Sequence, residues 1–548
     1  MTTKVNTNKG IVLFLACVAQ FMVVLDIAIV NVALPSIQRD LHIGQSTLQW
    51  IVIAYGLMLG GFLLFGGRMA DLLGRRRVLL AGLTLFSAAS LLAGVAGSAG
   101  FLIGARALQG FGAALVPPAA LSILAVTFEE GAERNRALGL YGATAGVSAS
   151  VGVIASGLLT EGPGWRWVFF INVPVGVLLI AMAAIFLPAD GPDRRGSKRF
   201  DVAGAVTVTA GLLLLVYALN RGAEFGWSSG STLGLLAASV VMLSAFVRIE
   251  ARSRSPLVPG AAVRNRTLVA ANLSAFFLFG AFFAFIFLGS LLMQQVLGYS
   301  PTRTGVAWLA TTVTSFFAAG IAGAKLVGVV GVRRLLVGGF TLLAIAALLL
   351  TRVPAGAHYA TDLLPALILA GLAGGISAPA IQIGALSGVP HSMTGLAGGL
   401  VETLREIGGG VVVAVVATVL VSRAGTTAGT ASSAAHRLAA VNAFHTAFWV
   451  MLIVAALGAL TAAIAFPRST TQQAGLEPAP SPDSIVRNPT QEPDYGCGFA
   501  QAASQEVGDV TDRLAAAKPY PAGRVRWGRG SYSEASPTSR WQESNRRP

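Results

Sequence analysis

GRMADLLGRRRVLLAG, residues 67–82, returns later in the chain as AKLVGVVGVRRLLVGG, residues 324–339. At an offset of 257, Gly74 matches Gly331, Arg76 and Arg77 match Arg333 and Arg334, and Gly82 matches Gly339. A second echo pairs QGFGAALVPP (109–118) with AGLAGGISAP (370–379) at an offset of 261. Chance resemblance between Gly/Ala-rich segments is an alternative for the second echo. It is a poor account of the first, which aligns charged residues. The chain therefore reads as two related halves.

The halves are built for lipid. Of 548 residues, 54% are hydrophobic and 11% charged, with a mean hydropathy of +0.70. Soluble domains carry about 25% charged residues. Apolar runs of bilayer-spanning length, about 20 residues each, recur about fourteen times between residues 11 and 466. The first echo follows the second run and then the tenth, whereas two six-helix halves alone would place its copy after the eighth. An extra pair, 201–219 and 231–247, must lie between them. The expected fold is an all-α polytopic membrane protein of about 14 transmembrane helices, two six-helix halves plus an inserted helix pair. Its segments are an N-terminus (1–10), a six-helix half (11–187), the inserted pair with flanking loops (188–267), a second half (268–466) and a tail (467–548). The tail is rich in Pro, Ser, Gly, Gln and Arg and is predicted to be disordered.

A net charge of +15 invites a nucleic-acid reading, so its location matters. The first 466 residues hold 29 basic and 15 acidic residues. With the N-terminus in the cytoplasm, twenty basic residues fall in inside loops, seven in outside loops, and Arg106 and Arg405 within spans. That bias predicts both termini in the cytoplasm and a multi-pass protein of the cell membrane, with the bilayer rather than nucleic acid as its partner. Lys4 and Lys9 precede an apolar run that outlasts a signal peptide and lacks an A-x-A site, which reads as a retained span. Cys17 and Cys497 suggest neither a disulfide nor a metal site.

Ionisable residues inside spans are costly and mark function by default. Asp26 lies in VVLDIAIVNVALP (23–35), about 20 Å from the cytoplasmic start of its helix. Desolvation and a neighbouring cation acting in opposite directions can bring such a carboxyl into the range where it exchanges protons. The alternative is a structural Asp bound to another helix's backbone. Asn31 is a candidate for a hydrogen bond across a helix interface and for substrate binding. Arg106 sits several residues inside the fourth span, where a charge costs about 2.5–3.5 kcal/mol on insertion scales. It should face inward to a partner unless it snorkels to the surface. In GGLVETLREIGGG (398–410), Glu402 and Glu406 share a helix face, and Arg405 is three residues from Glu402. These carboxylates suit a cation or a proton that the cation displaces; a self-neutralising Arg–Glu pair is the structural alternative. In the loop 67–77, Gly67 and Gly74 permit tight turns, Asp71 can cap a helix or pair with Arg, and Arg75, Arg76 and Arg77 sit at the cytoplasmic surface.

These stretches resemble the major facilitator superfamily, more narrowly its fourteen-span drug:proton antiporter branch. GRMADLLGRRR resembles the loop motif after the second helix, and RALQGFGAAL (106–115) the fourth-helix motif. LDIAIVNVALP (25–35) and WRWVFFINVPVG (165–176) resemble segments of that branch, and the likeness runs from about 11 to 466. Two departures stand out. Leu72 replaces a frequent Arg, and GVIASG (152–157) has Val153 and Ser156 where the fifth-helix antiporter motif has Pro and Gly. Gly142, Gly146, Gly152 and Gly157 still form a small-residue packing face.

The resemblance implies proton-coupled export of an amphipathic drug or antibiotic. It implies a latch at Gly67, Asp71, Gly74, Arg75, Arg76 and Arg77, and proton coupling through Arg106, which would communicate with Asp71 or a nearby carboxylate. Asp26, Glu402 and Glu406 complete the proton-coupling set; Asn31, Glu402 and Arg405 are the substrate-binding candidates. No P-loop, H-E-x-x-H or G-x-S-x-G occurs. No catalytic centre, metal or cofactor is expected, and a proton gradient would supply the energy. The competing functions are proton symport of a small metabolite and a non-transporting membrane sensor on the same fold.

Overall fold

The computed structural model describes residues 8–188, 201–253, 256–424 and 433–467. The tail from 468 onward, residues 1–7 and the basic stretch around Arg194 lie outside the described residues.

Fourteen long helices occupy the described residues. They are α1 (Lys9–Leu41), α2 (Gln45–Leu73), α3 (Arg75–Gly94), α4 (Ala99–Thr127), α5 (Ala132–Glu161), α6 (Trp167–Phe186), α7 (Val202–Phe225), α8 (Gly230–Glu250), α9 (Arg266–Leu291), α10 (Pro301–Ile321), α11 (Val332–Leu350), α12 (Leu364–Leu386), α13 (Thr394–Ala424) and α14 (Ser433–Ala465). Thirteen of these stretches are long and apolar enough to cross a membrane. The other, α5, is 30 residues long and opens with Glu133 in its first turn. The first expected span, 11–33, runs on to Leu41 through Pro35. The stretch read as a loop over 67–77 is almost entirely helical. Gly74 alone, at φ 106°, separates α2 from α3. A left-handed backbone of this kind is cheap only for glycine. Its repeat partner Gly331 breaks the chain before α11 in the same way, at φ 82°.

The repeat is a repeat of contacts. In the first half α4 packs on α2 and α3, and α1 on α5; in the second α12 packs on α10 and α11, and α9 on α13. Small residues allow these approaches, because lipid provides no hydrophobic drive between helices and close van der Waals contact must serve instead. Gly82 lies against the Gly112 carbonyl, and its counterpart Gly339 against the Ala373 carbonyl and Ser377. Gly110 touches the backbone of Tyr55, and Gly371 that of Thr311. The second sequence echo is thus a true repeat.

Two seams join the halves, α2 with α13 and α5 with α10. The inserted pair is attached at the first. α7 packs on both α2 and α13, and α8 packs on α7. Trp227 Nε1 donates to Thr418 Oγ1 on α13 at 2.5 Å. The Tyr217 ring lies 5.6 Å from that of Trp50 on α2.

At the second seam Gly139 of α5 meets Gly323, just beyond α10, backbone to backbone. Gly139→Val would drive a side chain into that backbone, and overpacking of this kind costs about 1–3 kcal/mol. The expected result is a lower melting temperature of the detergent-solubilised chain, whereas Gly328→Ala, which meets nothing nearby, should leave it unchanged.

Candidate functional site

Asp26 finds its partner within its own half of the molecule. Arg106 Nη1 on α4 donates to Asp26 Oδ2 at 2.5 Å, and the two residues are 1% and 0% exposed. Arg106 Nη1 also donates to Gln109 Oε1 at 2.7 Å, and Nε to the Ile51 carbonyl of α2 at 3.2 Å. Its guanidinium lies over the Tyr55 ring, 4.1 Å from the centroid. Asp26 Oδ1 accepts from Gln109 Nε2 at 2.8 Å and from Asn172 Nδ2 of α6 at 2.9 Å. Ser90 of α3 accepts from both amides at 3.1 Å and donates to the Phe169 carbonyl at 2.9 Å. Five helices therefore converge on one ion pair whose polar neighbours are satisfied, the condition under which charge is tolerated in low dielectric.

Arg106 is paired with Asp26, not with Asp71. Snorkelling does not occur, because the side chain is buried against Tyr55. Asn31 is corrected as well. Its Nδ2 donates to Ile27 of its own helix at 2.9 Å, and the residue is exposed. Five residues beyond Asp26, it is rotated about 140° around the helix and cannot share Asp26's face. Ser90, Asn172 and Tyr55 were not singled out as site residues from the sequence. Asn172 lies in WRWVFFINVPVG, but the signal at Ser90 and Tyr55 was only polarity within an apolar span, which a hydroxyl bonding its own helix produces equally well.

The second half holds the other charged group. Arg405 Nη1 donates to Glu402 Oε2 at 2.7 Å, and Arg405 Nε lies 3.4 Å from Glu406 Oε1. Glu402 is buried, whereas the Glu406 side chain is 24% exposed. Two carboxylates share one guanidinium, so the group carries one excess negative charge if both are ionised. Arg405 also lies 5.1 Å from the Phe279 ring centroid. Behind it, Gly408 and Gly409 press against the Phe276 backbone and the Phe283 ring. Tyr55 is within electrostatic reach of Asp26, Arg106, Arg405 and Glu406, and Tyr141 of Glu402 and Arg405. Tyr141 donates to Gln20 Oε1 on α1 at 2.8 Å.

At the Lys9 end of the bundle, Asp71 caps a helix of the opposite half. Gly395 N and Leu396 N, at the start of α13, donate to its two oxygens at 2.9 and 2.8 Å. A carboxylate at a helix N-terminus satisfies orphan amides and complements the helix dipole. Gly67 makes room by lying against the Gly395 carbonyl and Gly399. Arg75 Nε donates to Ser122 Oγ at 2.5 Å, and its Nη2 to the His391 carbonyl and to Thr394 Oγ1, the latter at 3.1 Å. Arg76 bonds the Ala184 carbonyl of α6, and Arg77 is exposed. Of the stretch read as a latch, Gly67, Asp71 and Arg75 join the halves; Arg76 stays within its own.

The expected small-residue face on α5 is divided. Gly152 packs on Leu25 and Ala28 of α1, Gly142 on Pro379 and Gln382 of α12, and Gly157 meets nothing nearby. The surroundings of Gly146 and Val153 lie outside the described residues. Ser156, in place of Gly, donates to the Ile29 carbonyl at 2.6 Å and ties α5 to α1. At the Leu41 end, Asp40 accepts from Trp165 Nε1 at 3.0 Å and Arg166 Nη1 at 2.8 Å. The Trp165 N–H first, and Arg166 with it, hold the Asp40 carboxyl below the usual carboxylate range. A lowered carboxyl keeps its clasp above the ordinary Asp pKa and loses it as pH falls through the lowered value. Trp165 is accordingly buried, while Trp167 is half exposed.

Arg106→Ala would leave Asp26 buried with no countercharge, a loss of about 3–5 kcal/mol. Arg106→Ala combined with Asp26→Asn should recover most of that loss. Thermal melting of the purified variants measures both.

The Major Facilitator Superfamily model matches residues 16–413, with a second match over 274–518. The chain is 40% identical over 417 residues to the puromycin resistance protein pur8 of Streptomyces alboniger, covering 75% of this chain and 81% of that one. It is 36% identical over 438 residues to the cephamycin export protein CmcT of Amycolatopsis lactamdurans, covering 79% and 89%. To the multidrug resistance protein Stp of Mycobacterium tuberculosis it is 32% identical over 416 residues, 76% of each. Its fold is similar to that of the human organic anion transporter MFSD10 (TETRAN), with a TM-score of 0.60 at 16% identity over 82% of this chain and 99% of that one. The repeated six-helix halves, the glycine-lined contacts and these matches lead to one conclusion: the chain belongs to the major facilitator superfamily.

Proposed function

We propose that this protein exports an amphipathic drug or antibiotic across the cytoplasmic membrane in exchange for protons, by alternating access, as a fourteen-span antiporter. The observation that carries the reading is the fully buried Asp26–Arg106 pair beside the interior. Such a pair is expensive in a membrane and is retained where a charge must change during function. Relatives named for puromycin resistance, cephamycin export and multidrug resistance support the direction and class of cargo. The Glu402–Arg405–Glu406 group, with two carboxylates for one guanidinium, favours cargo bearing a positive charge.

In the proposed cycle the Lys9 end faces the cytoplasm, as the basic loops indicate. The Asp71 cap and the Arg75 bonds hold that side shut. A proton from outside neutralises Asp26 and loosens its hold on Arg106. The rearrangement is relayed along α4 and α2 to the Asp71 clasp, which opens toward the cytoplasm. Drug then binds near Glu402 and Glu406, and proton release inside resets the clasp. Coupling requires proton and drug to favour different states. The chain's own side chains carry the proton, so the reading calls for neither a cofactor nor a catalytic centre.

The test is drug accumulation in cells making the full chain, across puromycin, ethidium and a neutral antibiotic. Export predicts lower internal drug and a protonophore that abolishes the difference. Asp26→Asn should reduce efflux about tenfold or more, and Glu406→Gln should do so for the cationic compounds. Higher internal drug would instead indicate uptake. No flux in any arm, with the protein inserted in the membrane, would indicate a non-transporting role.

A further inference from the structure

The two oxygens of Asp26 are not equivalent, and the difference is set by residues that cannot titrate. Oδ1 accepts two amide hydrogens, from Gln109 Nε2 and Asn172 Nδ2. A carboxylate oxygen offers two in-plane lone pairs, so Oδ1 is filled. Each amide nitrogen has two hydrogens, and the second in each case goes to Ser90 Oγ. The Ser90 hydrogen is itself committed to the Phe169 carbonyl, so its oxygen can only accept. All the donors and acceptors around Oδ1 are thereby used, in a cradle built from α3, α4 and α6. Oδ2, by contrast, holds only the Arg106 Nη1 bond.

From this count we propose that Asn172 and Gln109 are positioning residues that reserve Oδ2 as the atom receiving the transported proton. The inference rests on the reading of Asp26 as the proton carrier. In the step, an O–H bond forms at Oδ2, the Nη1···Oδ2 hydrogen bond gives way, and the carboxylate becomes a neutral acid. Arg106 keeps its proton and charge, and the pair gains one positive charge from the proton taken up.

The guanidinium is housed for that event. It retains Gln109 Oε1 at 2.7 Å, the Ile51 carbonyl at 3.2 Å and the face of Tyr55 at 4.1 Å. Gln109 therefore serves both charges, its nitrogen holding Asp26 and its oxygen holding Arg106. The facing charged and titratable groups are Arg106 from α4 and Tyr55 from α2, with Arg405 and Glu406 of α13 within electrostatic reach of Tyr55. α3 and α6 contribute only Ser90 and Asn172. Without the amide cradle, Oδ1 would have open lone pairs and could take the proton while Arg106 stayed on Oδ2, and protonation would no longer be tied to release of Arg106.

Infrared difference spectroscopy of the full chain in lipid nanodiscs, between acid and neutral pH, tests the assignment. The carboxylic-acid C=O band lost in Asp26→Asn belongs to Asp26. With the proton on Oδ2, that carbonyl is Cγ=Oδ1, held low in frequency by two donors. Asn172→Leu should shift the band to higher wavenumber and slow proton-driven efflux about tenfold. Gln109→Met should shift the band the same way, and it carries the test if Asn172→Leu does not elute as a single species. Asn172→Gln, which retains the amide, should restore part of the shift. A band that stays in place in both Asn172→Leu and Gln109→Met overturns this inference alone. Absence of any band lost in Asp26→Asn overturns the proton-carrier reading beneath it.

Discussion

A carboxylate in a lipid-spanning bundle must have its charge matched and its lone pairs filled, and Asp26 meets both conditions. Arg106 neutralises it, while Gln109 and Asn172 occupy its second oxygen. Water could have solvated either group at a surface. Inside the first half, the protein has to supply every partner itself. That need fixes how α1, α3, α4 and α6 approach one another and sets Arg106 against α2. The glycines beside them, Gly82 on Gly112 and Gly110 on Tyr55, let the helices come near enough for short side chains to bond.

The two charged groups differ in a way that suits a division of labour. The first-half pair is neutral, buried and surrounded by amides and hydroxyls. The second-half group has two carboxylates for one guanidinium and leaves Glu406 partly exposed. A balanced pair can store the change made by one proton, whereas an unbalanced group favours an incoming cation. The Asp71 cap on α13 is of a third kind, a carboxylate held by backbone amides of the opposite half. Such a contact spans the seam between the halves and would break if that seam opened. The inserted pair touches both halves, through Tyr217 of α7 and through Trp227 in the turn that follows it.

Much of this was legible in the residues. The helix count, the two halves and the position of the inserted pair followed from apolar run lengths and the 257-residue echo, because bilayer thickness constrains helix length so tightly. The pairing of Arg405 with Glu402, held as the structural alternative in the sequence, rests on three-residue spacing on one helix. Other expectations failed for equally physical reasons. The stretch 67–77 contains enough polarity to read as a loop, yet Asp71 and Arg75 reach the opposite half and Arg76 reaches α6 while the backbone stays helical on either side of Gly74. Asn31 was given an interhelical bond, but a helix supplies its own acceptor four residues back.

The sequence by itself determined that this chain crosses the membrane, about fourteen times, and that a few charges lie where lipid would reject them. These are properties of composition, period and repeat, which need no partner to be read. Only the tertiary structure decided that Arg106 answers Asp26 rather than Asp71, and that Ser90, Gln109 and Asn172 complete the cradle. Partners that lie 80 to 146 residues apart meet only after several helices have packed, and one chain carries no signal of which polar faces will then coincide.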